Sequence, residues 1–179
     1  MSPTCTLWQH NTFLLQQAVD LVDRLQAQAK PGFNYAQAVG PHLRHIIEHG
    51  QALLDALKNT GTPRVDYDAR QRALDVQTQS HVTRIRLKQL MTDMALHEGD
   101  VSKDLNLPMT TLLQSGAGGE TAVEVQTTLG RELLFLASHT VHHFALVGHY
   151  CKAAGVDLGP DFGKAPATLA FERQVAHAA

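Results

Sequence analysis

The sequence predicts an all-α fold: a four-helix bundle with a long crossover loop or small β-hairpin between its third and fourth helices. Three observations carry that prediction. Apolar residues recur at helical spacing in four separate segments. Glycine and proline close or open each of them. Between Val101 and Thr127 the period shortens towards two, around a glycine-rich centre.

The first segment runs from Leu7 to Ala29, with Leu7, Leu14, Leu15, Ala18, Leu21, Val22 and Leu25 on one face, and Pro31-Gly32 ends it. Gly40-Pro41 opens the second, Pro41 to Lys58, because proline is tolerated in a first turn whose amides have no intrahelical partner. Its apolar set is Leu43, Ile46, Ile47, Leu53, Leu54 and Leu57. After a polar stretch from Thr62 to Tyr67, the third pattern begins at Val76 and passes through Val82, Ile85, Leu87, Leu90 and Met91 to Met94, with Gly99 as its stop. Leu105, Leu107, Met109 and Thr111 then alternate, as do Val123 and Val125, on either side of Ser115-Gly116-Ala117-Gly118-Gly119. The fourth helix is expected from Thr128 to Ala154, closed by Gly155.

At 179 residues, 44% hydrophobic and 18% charged, the chain suits one domain over residues 1–179 with a real core. The formal net charge is −2, and basic residues are dispersed apart from Arg84, Arg86 and Lys88. Nucleic acid is therefore not an expected partner, since duplex binding needs a concentrated basic face. No apolar run approaches a membrane span, and the first residues lack the pattern of a secretory signal. Two cysteines, Cys5 and Cys151, form no CxxC pair, which fits a reducing cytoplasm better than a disulfide framework.

Histidine carries the chemistry. Of eleven copies, seven fall in two short segments: His42, His45 and His49, then His139, His142, His143 and His149. At about 100° per residue the first three lie within about 60° of one another, and His139 and His143 are about 40° apart. Singly, each reads as a core or boundary residue satisfied by a carbonyl or a water. Jointly, an i, i+4 pair facing a second histidine stripe supplies three neutral nitrogen donors, the ligand type favoured by zinc and nickel, and leaves a coordination position open. The stripe on the fourth helix also holds Glu132, Phe135, Leu146 and Tyr150, so it should point inward.

Other chemistries fit poorly. His139-Thr140-Val141-His142-His143 has the HxxxH separation but threonine stands where the zincin base would be, and His97-Glu98 has no second histidine to match it. Cys151, without an activating neighbour, reads as a packing residue. Glu48 projects roughly 60° beyond the histidine stripe and is expected in solvent, and Arg44 is expected in an exposed ion pair. His142, about 100° around the helix from His143, takes a structural place at a dimer contact or pocket margin.

Two strings resemble the signature regions of the DinB/YfiT-like superfamily: Val39-Gly40-Pro41-His42-Leu43-Arg44-His45-Ile46-Ile47-Glu48-His49 and Ser138-His139-Thr140-Val141-His142-His143. The resemblance extends through Asp66-Tyr67-Asp68, Leu129-Gly130-Arg131-Glu132 and Asp161-Phe162-Gly163-Lys164-Ala165-Pro166. It implies a four-helix bundle holding a divalent metal through three histidines, one on the second helix and an HxxxH pair on a later one. On that pattern the ligands are His45, His139 and His143. His49, one turn further along the same face, is the rival for the second-helix position, and His42 is a more distant one.

The resemblance also implies activity as a metal-dependent hydrolase, or as a transferase using a low-molecular-weight thiol, acting on a small molecule. A bound divalent cation lowers the pKa of a coordinated water or thiol, which suits either reaction. The alternative is a non-catalytic bundle in which the metal or histidine cluster stabilises the fold or senses a stress-related ligand. Exposed apolar positions on the first and third helices predict a homodimer.

Overall fold

The computed structural model describes residues 3–69, 71–100 and 104–178. Four long helices dominate: α1 (Pro3–Gln28), α3 (Gly40–Leu57), α5 (Ser80–Asp100) and α6 (Leu129–Ala153). Shorter ones are α2 (Tyr35–Ala38), α4 (Leu74–Thr78) and α7 (Pro166–Ala178), and three strands, β1 (Arg64–Asp66), β2 (Pro108–Ser115) and β3 (Thr121–Thr128), form one sheet. The chain is thus mainly α, with a small sheet inserted between helices. Among the described residues, no helix is long and apolar enough to cross a membrane.

Helix α1 packs on α5 and α6, and α3 packs on the same two partners. Their inward stripes meet in one core, where Leu21 and Val22 of α1, Leu43, Leu53 and Leu54 of α3, Leu87 and Leu90 of α5, and Leu133, Phe144 and Val147 of α6 are all essentially inaccessible. Burial of such side chains contributes roughly 1.5–3 kcal/mol each. Asn11 stitches α1 to α6, its amide donating to the carbonyls of Leu7 and Leu133 at 3.0 Å each. A buried amide in an apolar seam is tolerated because both bonds are made.

The alternating stretch folds as a hairpin, one of the two forms expected of it. Strands β2 and β3 pair antiparallel from Pro108 opposite Thr128 to Ser115 opposite Thr121. Gly116 (φ 93°) and Gly119 (φ 70°) take the left-handed conformations that the turn between them requires. Residues 101–103 of that stretch lie outside the described residues. The fourth helix starts where Thr128 caps it, its hydroxyl accepting the Arg131 amide at 3.3 Å, and stops at Gly155, whose φ is 76°.

Three features depart from the sequence reading. The Thr62–Tyr67 stretch contains β1, which pairs parallel with β2 through Arg64 opposite Thr110, Val65 opposite Thr111 and Asp66 opposite Leu112. Three residues are too few for a period to show. The third helix begins at Ser80 rather than Val76, because Gln79 is extended (φ −121°, ψ 104°) and the Thr83 hydroxyl satisfies the Val76 carbonyl left over from α4. Beyond the four expected helices the chain forms α7, an exposed helix joined to the preceding loop by Lys164–Glu172 at 2.6 Å.

Gly40 shows why α3 can start where it does. A β-carbon there would lie 1.8 Å from the Gln77 carbonyl oxygen, since α4 crosses the first turn of α3 backbone against backbone. Gly40→Ala is therefore expected to destabilise the protein by at least about 2–3 kcal/mol. Chemical denaturation checks it, and a variant within ~0.5 kcal/mol of the parent would show that the two helices are not in this contact.

Candidate metal centre

The facing stripes of α3 and α6 bring five histidines together. One nitrogen from each of His45, His49 and His139 can be chosen so that all three lie within 4.8 Å of one another, the one such donor cluster among the described residues. His143 joins on the α6 side, with its Nε2 3.2 Å from Nε2 of His139 and its ring 4.8 Å from that of His45. His42 stands behind His143, with Nδ1 to Nδ1 at 2.8 Å. His45 and His139, both expected from the sequence, are therefore at the centre. His143, also expected, lies beside them, and His49, the named rival, enters the tightest group.

Hydrogen bonding orients these rings. His49 Nδ1 is 2.9 Å from the His45 carbonyl oxygen, which can only accept, so the proton sits on Nδ1 and leaves the Nε2 lone pair available to the cluster. That backbone contact is the usual way a metal-binding imidazole is fixed in one tautomer. Likewise, an N–H donated by His143 Nδ1 to His42 would leave His143 Nε2 as a lone pair aimed towards His139. The donor set suits a borderline-soft divalent ion such as zinc or nickel.

Aromatic walls and a buried carboxylate hold the cluster from behind. Tyr67, just after β1, stacks on His49 with ring centroids 5.1 Å apart and planes 13° apart, and Phe135 stacks on His139 at 5.3 Å and 23°. The Tyr67 hydroxyl donates to Glu132 Oε2 at 2.7 Å, while Glu132 Oε1 accepts from the Thr127 hydroxyl at 2.6 Å and from Arg131 at 3.3 Å. Glu132 is fully inaccessible, so these three partners replace its water. Burial, and then the adjacent Glu132 charge, push the Tyr67 hydroxyl pKa far up, so it remains a proton donor. Tyr67 and Thr127 were not singled out as site residues by sequence reasoning, because they come from the turn after a three-residue strand and from a hairpin. The inward positions of Glu132 and Phe135 on the fourth-helix stripe pointed here.

The His143 imidazole is pushed down to about 3, first by burial and then by the neighbouring His139, His42, His142 and His49. His42 is lowered by burial and by His142. A depressed imidazole takes its proton more readily in the unfolded chain, whose value is 6.5. Stability from this group is thus complete above the unfolded value and declines as pH falls from about 6.5 towards 3. The metal-free protein should lose melting temperature over that window, and His143→Ala should flatten the slope. An unchanged slope in the variant would contradict the assignment.

His142 is exposed, edge-on to His143 at a centroid distance of 5.6 Å, and His149 is exposed further along α6. Cys151 is a free, inaccessible thiol raised to about 11 by burial, in keeping with a packing role. Glu48 corrects the sequence reading: its side chain is only 10% exposed, accepts the Ala73 amide at 2.9 Å and pairs with Arg44 at 3.8 Å. The loop before α4 folds over it, which a helical wheel alone does not show. Arg44 is correspondingly half-buried, at 18% exposure, rather than in an exposed pair.

No protein-family model matches the chain, and no solved structure matches it. FK506-binding protein 5 from Rhizopus delemar is similar, at 25% identity over 105 residues, which is 59% of this chain and 26% of that protein. The chain thus matches about a quarter of that relative's length.

Proposed function

We propose that this chain is a DinB-like divalent-metal-binding four-helix bundle, and that the metal, zinc or nickel, is held between α3 and α6. The observation that carries the reading is the convergence of His45, His49 and His139, with His143 3.2 Å from His139. The packing of α1 and α3 on the shared pair α5 and α6 supports the bundle. His45 and His139 are ligands in either version of the donor set; His143 completes it on the sequence pattern and His49 on the tightest clustering. Metal titration of His49→Ala and His143→Ala separates them, the true ligand being the one whose loss weakens binding by more than about 100-fold, beyond the usual effect of an outer-shell change.

With three histidines bound, such an ion keeps a position open and acidifies a coordinated water or thiol, the chemistry of a hydrolase or a low-molecular-weight-thiol transferase acting on a small molecule. The chain's own contribution is to fix the rings: the His45 carbonyl orients His49, and Tyr67 and Phe135 wall the far side. Assay of the zinc- and nickel-loaded protein with a panel of thiols and electrophiles tests this reading. Turnover that disappears in His139→Ala supports it, and no turnover with any pair counts against catalysis.

A second reading has its own observation. The rings of His45, His49, His139 and His143 are successive close neighbours, with centroids 4.1 Å apart for His45 and His49, 4.7 Å for His49 and His139, 4.6 Å for His139 and His143 and 4.8 Å for His45 and His143. A closed, four-ligand site is the structural type, which fits a non-catalytic metal-binding or ligand-sensing bundle. A thiol that shifts the absorption of the cobalt-substituted protein would favour the open, catalytic version. We further propose a homodimer, supported by the exposure of Phe13 on α1 and of Ile85 and Leu96 on α5. Light scattering at two concentrations tests it.

A further inference from the structure

Strand β3 reads Thr-Ala-Val-Glu-Val-Gln-Thr-Thr, with five β-branched residues, one charge, and no proline, glycine or lysine. Its register against β2 runs from end to end without a bulge. Edge strands are ordinarily guarded by such interruptions, and this one has none of them. We propose that the free edge of β3 docks a second copy of the chain, the two β3 strands pairing antiparallel across a two-fold axis. The inference rests on the homodimer reading and places its axis at β3.

The hydrogen bonds show which backbone groups are free. Thr110 donates its amide to the Pro63 carbonyl at 2.9 Å, and Gln114 donates its own to the Asp68 carboxylate at 2.7 Å, so alternate residues of β2 face the β1 side. Gln126, Glu124 and Ala122 stand opposite Thr110, Leu112 and Gln114. In an antiparallel ladder such opposed residues turn away from each other, so these three aim their N–H and C=O groups off the sheet. Among the described residues no strand pairs with that side, and residues 121–126 are exposed.

The side chains favour a second copy over a lone extended peptide. Met109, Thr111 and Leu113 share one face of the hairpin with their opposites Thr127, Val125 and Val123. At its base this face packs on the helices, where Met109 and Thr111 are buried; towards the turn it is bare, with Leu113, Val123 and Val125 41%, 41% and 49% exposed. Two-fold pairing reverses one hairpin against the other, so the bare end of each lies beside the end where its partner's helices stand. A peptide brings no such cover. Charge selects the register: centring on Glu124 sets two carboxylates directly opposite, whereas centring on Val125 sets each Glu124 opposite Gln126 and engages residues 122–128.

Sedimentation equilibrium of the full chain from about 1 to 100 μM should show a reversible dimer. Gln126→Pro removes an N–H that points off the sheet, so the hairpin keeps its own ladder while the contact between copies loses a donor. Val125→Lys leaves the backbone intact and sets two ammonium groups opposite each other at the axis. Each should raise the dimer Kd at least about tenfold. With an added oxidant, Val125→Cys should cross-link to its counterpart beyond the level of the parent, since Cα atoms about 4.5 Å apart lie within disulfide reach. Ala122→Cys, about 20 Å from its counterpart at the rise of a strand, should not. A parent monomeric throughout overturns the proposal together with the homodimer reading. A dimer indifferent to both Gln126→Pro and Val125→Lys, or one without the cross-link at residue 125, overturns this contact alone.

Discussion

His139→Ala is expected to abolish stoichiometric binding of zinc or nickel, lowering affinity by more than about 100-fold. The reason is position. The His139 ring lies 4.9 Å from His45, 4.7 Å from His49 and 4.6 Å from His143, and both proposed donor sets include it. The ring is half-buried at the edge of the core, and its removal should cost the metal-free fold only about 1 kcal/mol. At a metal concentration of about 100 Kd the parent should gain ~2.7 kcal/mol of stability, visible as a rise in Tm that the variant lacks. His142→Ala, on the exposed side of the same helix, should retain the full gain. A variant at residue 139 that still binds one equivalent would remove the basis of the site.

Glu132→Ala should produce the largest loss of stability near the site, about 3 kcal/mol by urea denaturation. Truncation leaves the hydroxyls of Tyr67 and Thr127 without their acceptor and opens a void in a fully inaccessible position. Tyr67→Phe tests the same network more gently. It should cost about 1 kcal/mol, and because Tyr67 also stacks on His49, loss of its anchor should weaken metal binding by about 10–100-fold. Stability within ~0.5 kcal/mol of the parent in Glu132→Ala would show that the carboxylate is not held by these partners.

The long helices were legible because each has a stripe of apolar residues at one period and a glycine or proline at its end, as at Gly40-Pro41 and Gly155. The hairpin showed as a change of period. What escaped were elements whose form depends on a neighbour: β1, which exists by pairing with β2, and α4, which is separated from α5 by the extended Gln79. The metal centre divided along the same line. Spacing put His42, His45 and His49 on one stripe and His139 and His143 on another, and the family resemblance implied His45, His139 and His143; the relative height of two helices is a tertiary property, and the fold brings His49 into the tightest group. Glu48 was misjudged for a related reason, since only the fold of the loop at Ala73 covers it.

The most direct measurement is X-ray absorption at the zinc edge of the zinc-loaded protein. Histidine ligation between α3 and α6 predicts one zinc per chain with a first shell of nitrogen at about 2.0–2.1 Å and the multiple scattering of at least three imidazoles. A sulfur scatterer, fewer than three imidazoles, or no zinc retained at one equivalent would contradict it.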